Sequence, residues 1–180
     1  MLNIYITDLP AYNAGALVGR WVSLPISRFE LNQVISEILT EGEHAVDGDN
    51  HEEIFITDYE WSFITEEIRE IDEYENIDDL NKEAFLLSEL DEDKLKSVKF
   101  LLDEGITSDT EDAIDKAEDV VIHHNQDLSE VAFDLLQECY SVDSLAPIIA
   151  NNIDYDRVAR DLEYDGTYWE LGNDVFEYIG

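Results

Sequence analysis

Apolar and polar positions alternate from Leu2 to Asp8, with β-branched and aromatic residues among them, which predicts a half-buried strand ended by Leu9-Pro10. In the next stretch, Tyr12 to Trp21, Gly15 and Gly19 permit a turn or a close backbone approach, and Leu17, Val18 and Trp21 are expected in the core. Ser27-x-x-Glu30 has capping-box spacing. Leu31, Val34, Ile35, Ile38 and Leu39 then follow at i, i+3, i+4, i+7 and i+8, so the pattern predicts a helix over about residues 28–40 that covers a small sheet. Gly42 to Glu53 reads as a polar loop, and Ile54 to Trp61 as the next strand.

From Asn76 the period becomes helical. Ile77, Leu80, Ala84 and Leu87 form one stripe; Leu95, Val98, Leu101 and Leu102 form a second, with Gly105 placed as its C-terminal cap. Ser108-x-x-Glu111 predicts the start of a third helix. Asp119 to His123 reads as a buried strand. Leu128, Val131, Ala132, Leu135, Leu136 and Cys139 make the cleanest helical stripe in the chain, which puts Cys139 in the core and leaves Phe133 off the stripe as a candidate subunit contact. Residues 154–164 repeat a helical pattern with Tyr155, Val158, Ala159 and Leu162. Two short strands joined at Gly172-Asn-Asp174 predict a terminal hairpin. The pattern as a whole is α+β.

Charge changes the picture. The 180 residues carry 45 Asp+Glu against 10 Lys+Arg, a net charge of −35, yet 44% are hydrophobic and 11% aromatic, far richer than a disordered acidic tail. Residues 57–119 alone hold 23 acids and 6 bases. So few cations argue against nucleic acid and anionic membrane as partners, and for a basic partner. No apolar run approaches the roughly 20 residues of a membrane helix. One cysteine and no visible secretory signal predict a cytoplasmic protein without an internal disulfide.

Candidate chemistry is sparse. Phosphate-loop, His-Glu-x-x-His, Cys-x-x-Cys and Gly-x-Ser-x-Gly motifs are absent, no cofactor is predicted, and His123-His124 at a strand end read as structural. Glu43, His44, Asp47, Asp49, His51 and Glu52 could chelate a cation, but Glu52 stands where the sixth-place Gly of an EF-hand would follow Asp47, so a solvated acidic loop is the reading and no metal site is expected. Paired carboxylates for a hydrolase carry no specificity among 45 acids. The same composition would also suit a halophilic surface, or a generic acidic module for a basic DNA-binding protein. The magnitude favours recognition: duplex DNA carries one charge per ~1.7 Å of axis, so 35 charges match roughly 60 Å of duplex. The carboxylates expected to face the partner are Asp58, Glu60, Glu66, Glu67, Glu70, Asp72, Glu73, Glu75, Asp78, Asp79, Asp91, Glu92, Asp93, Asp109, Glu111, Asp112 and Asp115.

Two motifs flank this acidic middle. Tyr12-Asn13-Ala-Gly15-x-Leu-x-Gly19-x-Trp21 and Ala159-Arg160-Asp161-Leu162-Glu-x-x-Gly-x-Tyr-Trp169, in this order, resemble the ArdA family of antirestriction proteins. The resemblance implies an elongated protein of three small domains in series: an N-terminal α+β domain over 1–62, an acidic helical domain over 63–118, and a C-terminal α+β domain over 119–180 that forms a homodimer. It also implies that the carboxylates imitate the phosphates of bent DNA. Such a protein would occupy the DNA-binding groove of type I restriction-modification enzymes without catalysis and protect incoming mobile DNA. The matched motif residues are read as structural, and Val121 and Phe133 as the dimer contact.

Overall fold

The computed structural model describes residues 1–46, 50–64 and 67–180, and divides into two compact units, residues 1–114 and 115–180. The first unit opens with β1 (Leu2–Asp8), the short helix α1 (Leu9–Asn13), β2 (Gly19–Leu24), α2 (Arg28–Ala45) and β3 (Ile54–Trp61). These strands form an antiparallel sheet of order β2-β1-β3, with Leu2, Ile4 and Ile6 opposite Leu24, Val22 and Arg20 on one side and Trp61, Tyr59 and Ile56 on the other. Alternation sends Leu2, Ile4, Ile6, Val22 and Leu24 to the inner face, where they are buried, as are Leu31 and Ile38 of α2. Each fully buried Leu or Ile contributes about 1.5–3 kcal/mol. Arg20, on the same face, reaches α2 through Glu37 at 2.8 Å and through Glu41. The capping box at Ser27 and Glu30 is present with both bonds.

Two departures from the sequence reading occur here. Leu17 and Trp21 are exposed, because the turn into β2 points Leu17 outward and Trp21 falls on the sheet face away from α2, edge-to-face with Tyr5 at 5.5 Å. The helix predicted over 28–40 runs on to Ala45, so Gly42, Glu43 and His44 are helical instead of looped; nothing in that polar turn breaks an established ladder. Asp47 and Asp49, in the stretch read as a solvated acidic loop, lie outside the described residues.

Three helices complete the first unit: α3 (Ile77–Ser88), α4 (Glu92–Asp103) and α5 (Thr110–Lys116), whose last two residues pass into the second. Asn76 caps α3 and Asp91 caps α4. The apolar stripes are buried as the period predicts, except that Leu102 is half-buried, and Phe100 joins them at 2% exposure. After α4, Gly105 stands at φ +66, and the bonds Ile106 N–H to Leu101 and Gly105 N–H to Leu102 close a Schellman motif. The third helix begins at Thr110, not at Ser108: the Asp109 carboxylate accepts from Asp112 N–H at 3.0 Å and takes the capping role.

The second unit contains β4 (Val120–His123), α6 (Leu128–Tyr140), α7 (Pro147–Ala150), α8 (Tyr155–Tyr164), β5 (Tyr168–Leu171) and β6 (Asp174–Tyr178), with sheet order β4-β6-β5. The β5-β6 hairpin closes through Gly172-Asn173, with Gly172 at positive φ. Leu128, Val131 and Ala132 of α6 pack with Val158, Ala159 and Leu162 of α8 and with Tyr168 and Val175 of the sheet. Two expectations are corrected. β4 is an edge strand and only half-buried, with Val121 exposed. Cys139 is exposed: the apolar period of α6 continues past Ala132, but its last residues have outrun the core that covers the first two turns.

Candidate functional site

High acid density needs a reason to fold. One is visible in the helices: α3, α4 and α5 place Asp78 and Asp79, Glu92 and Asp93, and Glu111 and Asp112 in their first turns, where the helix dipole favours each by about 0.3–1 kcal/mol. Of the seventeen carboxylates expected to face a partner, fifteen are exposed, Glu75 is half-buried, and Glu66 lies outside the described residues.

These fifteen are not equivalent. Asp58 accepts from Tyr59 N–H and Asp72 from Tyr74 N–H, both at 2.9 Å, while Asp91 and Asp109 cap helices. Asp78 lies 3.6 Å from Arg28, Glu92 3.0 Å from Lys96, and Glu111 binds Lys82, whose pKa it raises by hydrogen bond and charge. Burial, followed by the Glu67 carboxylate that accepts its hydroxyl, pushes Tyr59 above the ordinary tyrosine range. Asp93 and Asp112 also have interactions within the chain. Glu60, Glu70 and Glu73 carry neither cap nor ion pair among the described residues and point their charge to solvent.

Glu75 belongs to a clamp around Arg69. The guanidinium donates through Nε and Nη2 to Glu83 at 2.9 and 2.5 Å, through Nη1 and Nη2 to Glu75 at 3.1 and 2.5 Å, and through Nη1 to the Glu70 carbonyl at 2.8 Å. All five N–H donors are therefore used. Burial works against its charge, but the hydrogen bonds and charges of Glu83 and Glu75 outweigh it and raise the pKa. Sequence reasoning missed this clamp; its one signal was Arg69 standing as the only Lys or Arg between Arg28 and Lys82.

The motif residues sort differently. Gly19 is required by contact: a Cβ there would run into the Ile6 carbonyl oxygen and meet the Tyr5 ring at 2.8 Å, and the Tyr5 hydroxyl donates to the Gly19 carbonyl at 3.0 Å. Tyr12 packs edge-to-face on Phe55 at 5.2 Å, Asn13 ends α1, and Gly15 turns the chain after it. Arg160 and Asp161 are exposed on α8, Leu162 packs on the core, and Trp169 is half-buried in β5. Its neighbour Tyr168 donates to Glu177 at 2.8 Å, and burial, then this hydrogen bond and the Glu177 charge, push its pKa up to about 12. His123 lies 3.1 Å from the other Glu177 oxygen and His124 3.5 Å from Asp174, which places both histidines in structural pairs.

The suggested dimer residues are both accessible, Val121 at 40% and Phe133 at 42%, the latter edge-to-face with Tyr155 at 5.2 Å. Sequence reasoning missed the larger apolar exposure in the same unit, Tyr140, Ile148 and Ile149 at 68%, 78% and 54%.

The two described histidines of the stretch read as a solvated acidic loop are each held within the fold. His51 is buried with Nδ1 2.8 Å from Asp8, which itself caps α1, and the His44 ring bonds the Thr40 carbonyl one turn back on its own helix. No group of three His, Cys, Asp or Glu side chains suited to a metal occurs among the described residues, nor is any described helix long and apolar enough to cross a membrane.

Fold and surface together define an acidic α+β protein whose carboxylates stand outward on capped helices and turns. A family model described as antirestriction protein (ArdA) matches residues 4–177, and the chain belongs to that family. The family carries an antirestriction function that acts on restriction enzymes. A search of curated proteins finds no match.

Proposed function

We propose that this chain inhibits type I restriction-modification enzymes as a DNA mimic, by seating its carboxylates in the enzyme's DNA-binding groove, with no turnover of its own. The observation that carries the reading is the outward placement, on a folded chain, of fifteen of the seventeen carboxylates expected to face a partner. A net charge of −35 matches roughly 60 Å of duplex, and because the acids are distributed over the whole chain the mimicry is collective. In this reading residues 63–118 form the most acidic of three domains. Residues 119–180 make a homodimer, for which Val121, Phe133, Tyr140, Ile148 and Ile149 supply accessible apolar surface. The setting is the cytoplasm of the host cell, where incoming DNA meets the enzyme.

The test is cleavage of unmodified DNA by a purified type I enzyme at increasing protein concentration. A mimic is displaced by added unmodified DNA, and its affinity falls as salt rises. Inhibition that added DNA does not relieve, or an affinity indifferent to salt, would falsify the groove-occupancy model.

A further inference from the structure

We propose that Arg69 is a positioning residue for the antirestriction surface: its guanidinium holds the carboxylates of residues 67–75 at a set spacing before any partner arrives. The proposal rests on the mimic reading above and adds to it the residue that organises one part of the charged face.

Residues 67–76 contain no helix or strand, yet they carry Glu67, Glu70, Asp72, Glu73 and Glu75. Five like charges on an irregular segment repel one another and favour an open, fluctuating chain. A mimic with mobile charges would have to order them on binding, so part of the interaction would be lost to conformational entropy. Two apolar anchors, Ile68 and Ile71, are buried and attach the segment to the core. They leave the lateral position of the carboxylates open. That position is set by polar contacts: Trp61 Nε1–H donates to the Arg69 carbonyl at 2.8 Å, Ile56 N–H to the Glu73 carbonyl at 2.8 Å, and Asp72 N–H to Glu75 at 3.2 Å.

The Arg69 side chain binds these contacts to the helices. One face of its fork takes Glu75 and the Glu70 carbonyl from its own segment, and the other takes Glu83 of α3. Glu83 also accepts from the Thr110 hydroxyl at 2.9 Å, so the same clamp reaches the first residue of α5. A lysine could supply the charge but not five donors in a fixed plane, so the geometry calls for arginine. The clamp also removes Glu75 and Glu83 from the exposed charge pattern, leaving Glu67, Glu70, Asp72 and Glu73 as the carboxylates presented outward.

The experiment is a double-mutant cycle on the full chain, read as inhibition of type I cleavage of unmodified DNA. R69M alone is expected to weaken inhibition about tenfold or more. In the E67Q/E70Q/E73Q background, where the charges it positions are already neutral, R69M is expected to add less than about twofold. R69K should fall between wild type and R69M. Amide exchange across residues 67–75 should quicken in R69M while β1 and β3 remain protected. An equal fold-loss in both backgrounds would show that Arg69 only stabilises the fold, and an unchanged inhibition in folded R69M would remove any role; either overturns the proposal while the mimic reading stands. If E67Q/E70Q/E73Q alone leaves inhibition unchanged, this segment does not meet the partner, and both the proposal and that part of the mimic reading fall. Should R69M not fold, the pair E75Q/E83Q opens the same clamp from its other side and completes the cycle.

Discussion

Replacing Glu60, Glu70 and Glu73 with Gln separates surface charge from structure, because these side chains are exposed and carry no cap or ion pair among the described residues. Substitutions at such positions change stability by about ±0.5 kcal/mol, and here relief of like-charge repulsion favours the folded state. Their effect on binding is set by solvent screening. An exposed ion pair contributes about 0.2–1 kcal/mol, so one substitution should weaken inhibition by no more than roughly fivefold and all three by about 0.6–3 kcal/mol, or roughly threefold to a hundredfold. Against the roughly 12 kcal/mol of a nanomolar complex this is a fraction, as a collective surface requires. The assay is cleavage of unmodified DNA by a type I enzyme across the single, double and triple variants, with folding checked by circular dichroism and a urea midpoint. Loss growing in steps with the number of charges removed supports the reasoning. A folded Glu73→Gln protein with no activity would replace it with a discrete site, and an unaffected triple variant would place the contact elsewhere on the chain.

Other expectations follow from particular contacts. Ile148→Asp, at a residue 78% exposed, should leave the protomer folded but shift the solution mass toward monomer; Phe133→Asp should do the same after losing an aromatic contact worth about 0.5–1.5 kcal/mol. Light scattering that finds both variants dimeric and folded removes this surface from the interface. Gly19→Ala forces a methyl against the Ile6 carbonyl and should lower stability by about 1–3 kcal/mol, visible as a reduced urea midpoint; an unchanged midpoint contradicts the close approach. Tyr168 has its folded pKa raised to about 12 from 10.0, so its stabilisation is present below pH 10 and is lost as pH rises toward and through 12, roughly 2–3 kcal/mol in all. Tyr168→Phe should flatten that part of the stability profile and remove a late-titrating tyrosine from the ultraviolet titration; an unchanged titration curve refutes the assignment.

Much of the local structure was legible in the residues themselves. The strand from Ile54 to Trp61, the capping box at Ser27, the stripes of α3 and α4 and the turn at Gly105 follow from short-range chemistry, and the structure repeats them nearly to the residue. β2 was not predicted as a strand. Its Arg20-Trp-Val-Ser alternation places a large residue on each face, and only the sheet shows that Val22 is the buried side while Arg20 reaches over α2. Cys139 marks the limit of periodicity: a stripe identifies the face of a helix, but whether anything covers that face depends on elements distant in sequence.

The charged surface divides in the same way. The sign and scale of the charge, its spread along the chain and the family motifs belong to the sequence, since they are sums and short patterns that no folding changes. Which carboxylates remain for a partner is a tertiary matter. Glu75 and Glu83 are held by Arg69, Glu111 by Lys82, and Asp91 and Asp109 by helix N-termini, whereas Glu60, Glu70 and Glu73 stay free of caps and ion pairs among the described residues. An acid's neighbours along the chain are mostly other acids; the cation or amide that engages it is brought there by packing, and packing alone separates the structural carboxylates from those left facing solvent.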